Sequence, residues 1–253
     1  MKNGLRVREG GADGPLLLLL HGLGATGAVW SGWESVLARR WPGRWVAPDL
    51  PGHGGSAELA GYTFQALADA VRPLVDPDGR TVVLGHSLGG VLALTLAGQV
   101  PLAGVVGLGI KVAWTGAELD RAGALARRPV TWFDAEAEAI TRHLRVSGLA
   151  GLVAPEDEAA RDGVREEGGR WRLALDPRAF GVGAPDMAGL VDRSLSPVVL
   201  ARGENDPMNT DDQITFPGVR VSTLAGLGHN AHVEDPQRCM DLLGQPESGP
   251  SRR

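Results

Sequence analysis

Five residues, Gly85-His86-Ser87-Leu88-Gly89, place a serine between two glycines in the pattern G-x-S-x-G. In a chain with 37 glycines this pattern alone is weak, so its surroundings decide its meaning. The β-branched run Thr81–Leu84 leads into the serine, and an apolar stretch typical of a helix follows it. A serine on so tight a strand-to-helix turn has a strained backbone and a hydroxyl that projects above the sheet. The pattern therefore predicts that Ser87 is a nucleophile.

A serine hydroxyl at its ordinary pKa is a poor nucleophile, and it needs a base that is itself oriented by an acid. On this kind of turn the acid and the histidine follow later strands of the same sheet, in that order. Asp206 follows the strand-like run Pro197–Ala201, and His229 follows the run Val219–Leu224 and a glycine-rich loop. We therefore expect Ser87, His229 and Asp206 to form a catalytic triad.

Both partners of the predicted nucleophile have rivals nearby. Asp206 has the better spacing from its strand, but three other carboxylates are candidates for the acid: Glu204, Asp211 and Asp212. His232 is a candidate for the base, although we expect it to lie in the final helix. We do not expect the other histidines to take part in the chemistry. His86 should be buried and point away from the site, His143 should face solvent, and His21 should bond to backbone.

A second glycine-rich turn, with the sequence HGLGATG, begins directly after five leucines, Leu16–Leu20. Hydrolysis of an ester builds negative charge on the carbonyl oxygen, and backbone N–H groups are the usual donors that hold it. The amide of Leu88 stands at the start of the helix after the nucleophile, and the amide of Leu23 lies in this second turn. We predict that these two amides form the oxyanion hole.

The elements that must carry these residues alternate between apolar runs and helical patterns, which predicts a doubly wound, mainly parallel α/β sheet. The run Leu16–Leu20 is too short for a signal peptide or a membrane helix, so we interpret it as a strand covered on both faces. The predicted strands are Leu16–Leu20, Trp45–Ala47, Thr81–Leu84, Gly104–Ile110, Pro197–Ala201 and Val219–Leu224. The predicted helices that flank the sheet are Val29–Arg40, Thr63–Val75 and Leu88–Val100.

The alternation stops between Lys111 and Asp186, where weakly amphipathic helices are expected and no strand before Pro197. A long insertion at one point of such a sheet is usually a cap over the ligand site, although it can also be a helical subdomain whose aromatic residues pack only its own core. The helices predicted in this insertion are Thr115–Ala126, Asp134–Val146 and Glu156–Glu167.

The chain therefore divides into a core and an inserted helical cap. We assign residues 1–110 and 187–253 to the core and residues 111–186 to the cap. The candidate substrate-binding residues of the cap are its aromatic side chains Trp114, Trp132 and Phe133.

Composition narrows the class of partner. The chain has 253 residues, of which 43% are hydrophobic and 22% charged, and its net charge of −5 disfavours nucleic acid or an acidic membrane as the main partner. Cys239 is the only cysteine, which excludes an intrachain disulfide, and we expect it to be an apolar filler of the last helix. We expect a cytoplasmic protein that acts on a small molecule and needs no metal or organic cofactor.

Five ordered segments together resemble the α/β-hydrolase superfamily, in the branch with a helical cap. They are HGLGATG, APDLPGHGGS, GHSLGG, RGENDP and GLGHNAHVEDP, and they span roughly residues 16–100 and 197–243. The resemblance implies a serine hydrolase with Ser87, Asp206 and His229 as its triad. It also implies that Asp49, Gly52 and His53 belong to a structural segment that shapes the loop after its strand. The residues between 111 and 186 match no subfamily.

The favoured reaction is hydrolysis of a carboxylic ester of a small or medium organic substrate through an acyl-enzyme on Ser87. Carbon–carbon bond hydrolases, thioesterases, lactonases and cofactor-free perhydrolases resemble this skeleton and keep the serine, so they remain alternatives. Epoxide hydrolases and haloalkane dehalogenases carry aspartate at the nucleophile, which counts against both. A receptor that binds a small ligand without turnover is the alternative from another class.

Overall fold

The computed structural model describes residues 1–243, and seven of its strands form one sheet. They are β1 (Val7–Gly11), β2 (Leu17–Leu20), β3 (Arg44–Pro48), β4 (Val82–His86), β5 (Gly104–Leu108), β8 (Val198–Gly203) and β9 (Arg220–Leu224), while β6 (Val164–Glu167) and β7 (Arg170–Leu173) form a separate hairpin. The order across the sheet is β1-β3-β2-β4-β5-β8-β9. Only β1 runs antiparallel to its neighbour, which confirms the predicted doubly wound, mainly parallel sheet.

Helices cover both faces of this sheet, and four of them lie in the segment between β5 and β8. They are α1 (Glu34–Arg40), α2 (Phe64–Val71), α3 (Leu88–Ala97), α4 (Gly116–Ala126), α5 (Glu136–Val146), α6 (Glu158–Arg161), α7 (Met187–Asp192), α8 (Ala231–Glu234) and α9 (Pro236–Met240). Short 3₁₀ turns occupy Gly27–Trp33, Arg72–Leu74, Pro177–Val182 and Asp241–Leu243. The part of the predicted core beyond residue 243 lies outside the described residues.

The leucine run is a buried strand, as predicted. Strand β2 lies between β3 and β4, and all five leucines from Leu16 to Leu20 are fully buried. Successive side chains of a strand point to opposite faces, so Leu16, Leu18 and Leu20 pack in the core on one side of the sheet. Leu17 and Leu19 pack in the core on the other side. This double burial explains why the strand shows no polar alternation.

Two strand regions differ from the sequence-based expectation. Strand β1 was not predicted, because Arg8, Glu9 and two glycines give it no apolar pattern and it lies at the edge of the sheet. The predicted helix Glu156–Glu167 is helical only over α6, and the hairpin of β6 and β7 follows it. Gly168 and Gly169 both have a positive φ, 61° and 79°, which is what a two-residue hairpin turn requires. The expectation of no strand before Pro197 is therefore wrong.

Helices α4 and α5 of the insertion lie where the sequence predicts them. Thr115 and Glu118 form a capping box at the start of α4, in which each side chain bonds to the backbone of the other residue. The buried stripe of α5 includes Ile140, His143 and Leu144. The expectation that His143 faces solvent is wrong, because this stripe packs against α6 and the hairpin and leaves the side chain 1% exposed.

Histidines buried in this way make the fold sensitive to acid. Burial lowers the pKa of His143 from 6.5 to about 4 and that of His53 and His232 to about 3. Between pH 6.5 and the lowered pKa the unfolded chain binds protons that the folded protein does not, so stability is complete above pH 6.5 and falls as the pH drops.

We expect the variant His143→Gln to lose less stability in acid than the wild type, because glutamine keeps an N–H donor for the carbonyl of Ala159 but does not titrate. Between pH 7.5 and pH 5 the wild type should lose about 2 kcal/mol more unfolding free energy than the variant. Each pKa unit corresponds to about 1.36 kcal/mol, and pH 5 lies about 1.5 units below the ordinary pKa of 6.5. Urea unfolding of both proteins at pH 7.5 and pH 5 measures it. Equal losses of unfolding free energy would contradict the prediction.

Other features of the chain follow from burial. Cys239 lies in α9, fully buried, and burial raises the pKa of its thiol to about 12. Asp49 accepts hydrogen bonds from the amides of Gly27 and Gly55 and from Arg6, which is the structural role that the resemblance implies for this segment.

The described part of the chain contains no helix with both the length and the apolar character that a membrane crossing requires.

Candidate active site

Ser87 occupies the tight turn between β4 and α3. Its φ of 49° and ψ of −114° lie in a region that residues with a side chain rarely adopt, and within residues 1–243 only Asn3 is a second non-glycine residue with positive φ. The amide of Ser87 donates to the carbonyl of Leu108 on β5 at 2.8 Å, which anchors the turn to the neighbouring strand. The structure thus confirms the strained backbone that the sequence predicts at this serine.

The glycines on either side of Ser87 are required by close packing. A Cβ on Gly85 would lie 2.1 Å from the carbonyl oxygen of Gly89, and a Cβ on Gly89 would lie 2.3 Å from that of Leu20 on β2. Both distances are far below van der Waals contact with backbone atoms that have no room to move. The G-x-S-x-G pattern is therefore the sequence that lets α3 start directly against the sheet.

The two amides predicted to form the oxyanion hole have no hydrogen-bond partner in the described part of the chain. Within residues 1–243, neither the N–H of Leu23 nor that of Leu88 donates a hydrogen bond to another part of the chain. Leu88 is the first residue of α3, where amides have no partner inside the helix. His21 is buried beside them, donates from Nδ1 to the Gly22 carbonyl and accepts from the Leu50 amide, so it bonds to backbone as expected.

The predicted base and acid lie in direct contact. His229 Nδ1 is 3.0 Å from Asp206 Oδ2, and the carboxylate is fully buried while the imidazole keeps 20% of its surface exposed. The amide of Met208 donates to Asp206 Oδ1 at 2.9 Å, so both carboxylate oxygens have a donor. Gly109, which directly follows β5 and has a φ of 63°, packs closely against both residues. If it carried a Cβ, that atom would lie 3.4 Å from Asp206 Oδ2 and 3.2 Å from the carbonyl oxygen of His229.

The rival carboxylates have other partners. Glu204 accepts from the amide of Gly226, whereas Asp211 pairs with Arg202 at 2.6 Å, and both acids are exposed. Asp212 accepts from the Thr210 hydroxyl. Of these candidates, only Asp206 contacts the imidazole of His229.

The rival histidine is enclosed by aromatic rings. His232 lies in the short helix α8, one helix before the final helix in which it was expected, and is 1% exposed. Its ring centroid is 4.8 Å from that of Trp30 and 4.1 Å from that of His86. Its two ring nitrogens have no hydrogen-bond partner in the described part of the chain. The ring is therefore shielded from solvent by its neighbours, unlike the partly exposed imidazole of His229.

A hydrogen bond from His86 joins the turn of the predicted nucleophile to the loop of the predicted base. The hydroxyl of Ser87, a half-buried residue, forms no hydrogen bond with His229 or with any other described residue. In ligand-free enzymes the hydrogen bond between a nucleophile and its base is often long or poorly aligned and tightens when substrate binds. His86 is buried as predicted, but it does not point away: its Nε2 is 3.0 Å from the His229 carbonyl oxygen.

The predicted aromatic residues of the insertion have partners of their own. The indole of Trp114 donates to the carbonyl of Lys111, whose ammonium lies 5.4 Å from the ring centroid. Trp132 lies beside the guanidinium of Arg172 at 5.8 Å. Phe133 forms a β-bridge with Trp171 inside the insertion. A substrate-binding role for Trp114, Trp132 and Phe133 stays a prediction.

Two buried asparagines next to the site were missed from the sequence. Asn209 accepts from the amide of Val112 at 2.9 Å and donates to the carbonyl of Ile110, so it ties the loop after Asp206 to the start of the insertion. Asn230 donates from Nδ2 to the carbonyl of Gly148 at 2.9 Å. The one sequence feature that singles them out is a polar side chain within three residues of a predicted catalytic residue.

Metal ligands are not grouped near this edge of the sheet. Within residues 1–243, no three His, Cys, Asp or Glu side chains are arranged so that they could hold a metal ion. The arrangement that the structure does present is a strained serine, two unengaged amides and an aspartate–histidine pair, all on loops that follow parallel strands.

Comparison with known proteins gives a consistent result. The alpha/beta hydrolase family matches residues 17–242. The esterase Rv0045c of Mycobacterium tuberculosis is 28% identical over 257 residues, which cover 92% of this chain and 83% of that protein. The magnesium-chelatase 30 kDa subunit of Rhodobacter capsulatus is 44% identical over 106 residues, but the match spans only 40% of this chain and 37% of the relative.

Solved structures show the same fold at low identity. The crystal structure of E-2-(acetamidomethylene)succinate hydrolase superposes with a TM-score of 0.78 over 94% of this chain and 93% of its own, at 22% sequence identity. At this level of identity the similarity concerns the arrangement of strands and helices alone.

Proposed function

The chain belongs to the alpha/beta hydrolase family, and on this premise we propose that it is a carboxylesterase that uses Ser87, His229 and Asp206. The observation that carries the proposal is the buried contact of 3.0 Å between Asp206 and His229, on loops at the same sheet edge as the strained turn of Ser87. The esterase that matches along most of this chain supports the choice of an ester as substrate.

The proposed reaction has two steps on one serine. Ser87 Oγ attacks the ester carbonyl carbon and transfers its proton to His229 Nε2, while the carbonyl oxygen becomes an oxyanion held by the amides of Leu23 and Leu88. His229 then returns the proton to the departing alkoxide. Water, deprotonated by His229, then attacks the acyl-enzyme carbonyl, and His229 returns this proton to Ser87 Oγ as the ester bond to the serine breaks and the carboxylic acid leaves.

Asp206 acts in this reaction only as a hydrogen-bond acceptor for His229. Because its oxygens only accept, the hydrogen between it and His229 stays on Nδ1, which leaves the lone pair on Nε2 for the serine proton. Its full burial and its second hydrogen bond, from the Met208 amide, fix the plane of the imidazole.

We extend the proposal to the insertion, residues 111–186, as a cap over this site. The end of α5 supports it, because Val146 Cγ1 lies 2.9 Å from where a Cβ on Gly24 would stand, beside the proposed oxyanion donor Leu23. Gly148 accepts the hydrogen bond from Asn230, the neighbour of His229. The end of α5 and the residues directly after it thus contact both the oxyanion loop and the histidine loop.

This placement makes Val146 a wall for the acyl group, and we expect its size to set the preferred chain length. Val146→Phe should lower kcat/KM for p-nitrophenyl octanoate relative to the acetate on the order of tenfold, and Val146→Ala should shift the ratio the other way. Val153→Ala is the matched control, because Val153 is also a half-buried valine of the insertion but packs on the other core. Unchanged ratios in both Val146 variants would exclude the wall.

The proposed function is tested by labelling with a fluorophosphonate probe, followed by turnover of a p-nitrophenyl ester series of increasing acyl length. Labelling of the wild type and loss of labelling in Ser87→Ala are the expected results. Parallel assays with a thioester and a lactone separate the ester reaction from the alternatives that use the same serine.

A further inference from the structure

His86, the residue before the proposed nucleophile, is hydrogen bonded to the backbone of the proposed base. Its Nε2 lies 3.0 Å from the carbonyl oxygen of His229, 143 positions away in the sequence. A carbonyl oxygen only accepts, so Nε2 carries the hydrogen and Nδ1 carries the lone pair. The side chain is 3% exposed, which shields this hydrogen bond from competition with water.

We propose that His86 is a positioning residue, which holds the backbone of His229 at a fixed distance from Ser87 through this hydrogen bond. The inference rests on the proposed function, because it gives His86 a task only if Ser87 and His229 react together. It adds a second contact to the base: Asp206 orients the ring, and His86 fixes the loop that carries the ring.

The loop that carries His229 is rich in glycine, so its backbone needs contacts with other segments to stay in one conformation. It follows Gly226 and Gly228, and Gly226 has a φ of 75°. The other hydrogen bonds of this loop lead to segments other than the nucleophile turn: the Gly228 amide donates to Glu234 on α8, the Leu227 carbonyl accepts from the loop of the acid, and Asn230 donates to Gly148. In the described part of the chain, the bond from His86 is therefore the one hydrogen bond between the nucleophile turn and the loop of His229.

His86 connects the nucleophile turn to the base directly. His86 precedes Ser87 in the chain, so a shift of the His86 backbone also moves Ser87. Its Nδ1 faces Gly22 of the oxyanion loop, where a Cβ would lie only 2.8 Å from the nitrogen. The ring therefore lies between the oxyanion loop and the histidine loop, and a larger residue at position 22 would push it out of place.

His86 is kept neutral by its surroundings. Burial lowers its pKa well below the ordinary value, and the neighbouring imidazoles of His232, His229 and His21 act in the same direction. The ring centroids of His86 and His229 are 4.8 Å apart. A neutral ring avoids a second positive charge beside the imidazolium that His229 becomes in each step of the proposed reaction.

Two substitutions separate the hydrogen bond from the volume of the ring. His86→Leu removes the donor, whereas the side-chain amide of His86→Gln can place an N–H near the position of Nε2. We expect His86→Leu to lower kcat for p-nitrophenyl butyrate by roughly 10- to 100-fold with KM within about threefold, and His86→Gln to recover most of this loss. Rates are expressed per active site after fluorophosphonate titration, at a temperature where thermal melts show all proteins folded.

A kcat of His86→Leu within twofold of the wild type would overturn the proposal, and so would a His86→Gln as slow as His86→Leu. The wild type gives a measurement that does not depend on folding of a variant. Long-range ¹H–¹⁵N correlation spectra of ¹⁵N-histidine protein should show His86 as the Nε2–H tautomer from pH 7.5 to 5.5, and the Nδ1–H tautomer would overturn the hydrogen bond.

Failure of this inference and failure of the proposed function give different results. If Ser87→Ala keeps its activity, the triad is wrong whatever His86 does. If Ser87→Ala is inactive while His86→Leu reacts normally, the triad stands and only the positioning role is lost.

Discussion

The variant Ser87→Ala should lose ester turnover by at least roughly 10³-fold and should not react with a fluorophosphonate probe. The reason is that the acyl-enzyme cannot form without the hydroxyl, and only the oxyanion amides and substrate binding remain. The measurement is the initial rate on p-nitrophenyl butyrate together with labelling of the intact protein by mass spectrometry. Ser35→Ala, on the exposed face of α1, is the matched control and should keep full activity and labelling.

The backbone at this position provides a second variant. Because φ is 49°, any residue with a Cβ is strained here, and glycine is not. Ser87→Gly should therefore be as inactive as Ser87→Ala but more stable than the wild type by about 1 kcal/mol in urea unfolding. Ester hydrolysis at close to the wild-type rate by either variant would show that another nucleophile is used.

The second large effect is expected for Asp206→Asn. An amide at this position can donate its N–H to His229 Nδ1, which would move the imidazole hydrogen to Nε2 and remove the lone pair that must accept the serine proton. A loss of kcat on the order of 10⁴-fold is expected for this wrong tautomer, with little change in the fold because the volumes of the two side chains are nearly equal.

Asp211→Asn and Glu204→Gln are the matched controls for the acid. Asp211 pairs with Arg202 and Glu204 accepts from the amide of Gly226, and neither reaches His229. Both controls should keep kcat within about threefold of the wild type, the size expected for an exposed carboxylate outside the reaction. A larger loss in Asp211→Asn than in Asp206→Asn would move the acid to residue 211.

The parts of the fold and site that the sequence predicts are those where a single residue type is dictated by space or burial. The leucines of β2 are apolar on both faces because both faces are covered. Gly85 and Gly89 are glycines because a Cβ would strike the backbone. Asp206 was favoured over its neighbours by its distance from the end of β8, and the structure places it against His229.

The parts that the sequence does not reveal depend on contacts between distant segments. His143 lies on the apolar stripe of α5, but only the position of α6 and the hairpin decides that this stripe is buried. The hairpin does have a local sequence pattern, two adjacent glycines, Gly168 and Gly169, between two short runs that can form strands. The helical pattern directly before it favours the interpretation of the whole segment as a helix. Asn209 and His86 act on loops that are far away along the chain, so no local pattern identifies their partners.

The burial of Cys239 has a practical consequence for following the insertion in solution. The only thiol of the chain is buried in α9, and burial raises its pKa. It should therefore not react with maleimides or iodoacetamides at neutral pH. A cysteine introduced at the exposed position Ala124 on α4 would then be the single attachment point for a fluorescent dye. The wild-type background thus serves directly for spectroscopic distance measurements, with no native cysteine to remove beforehand.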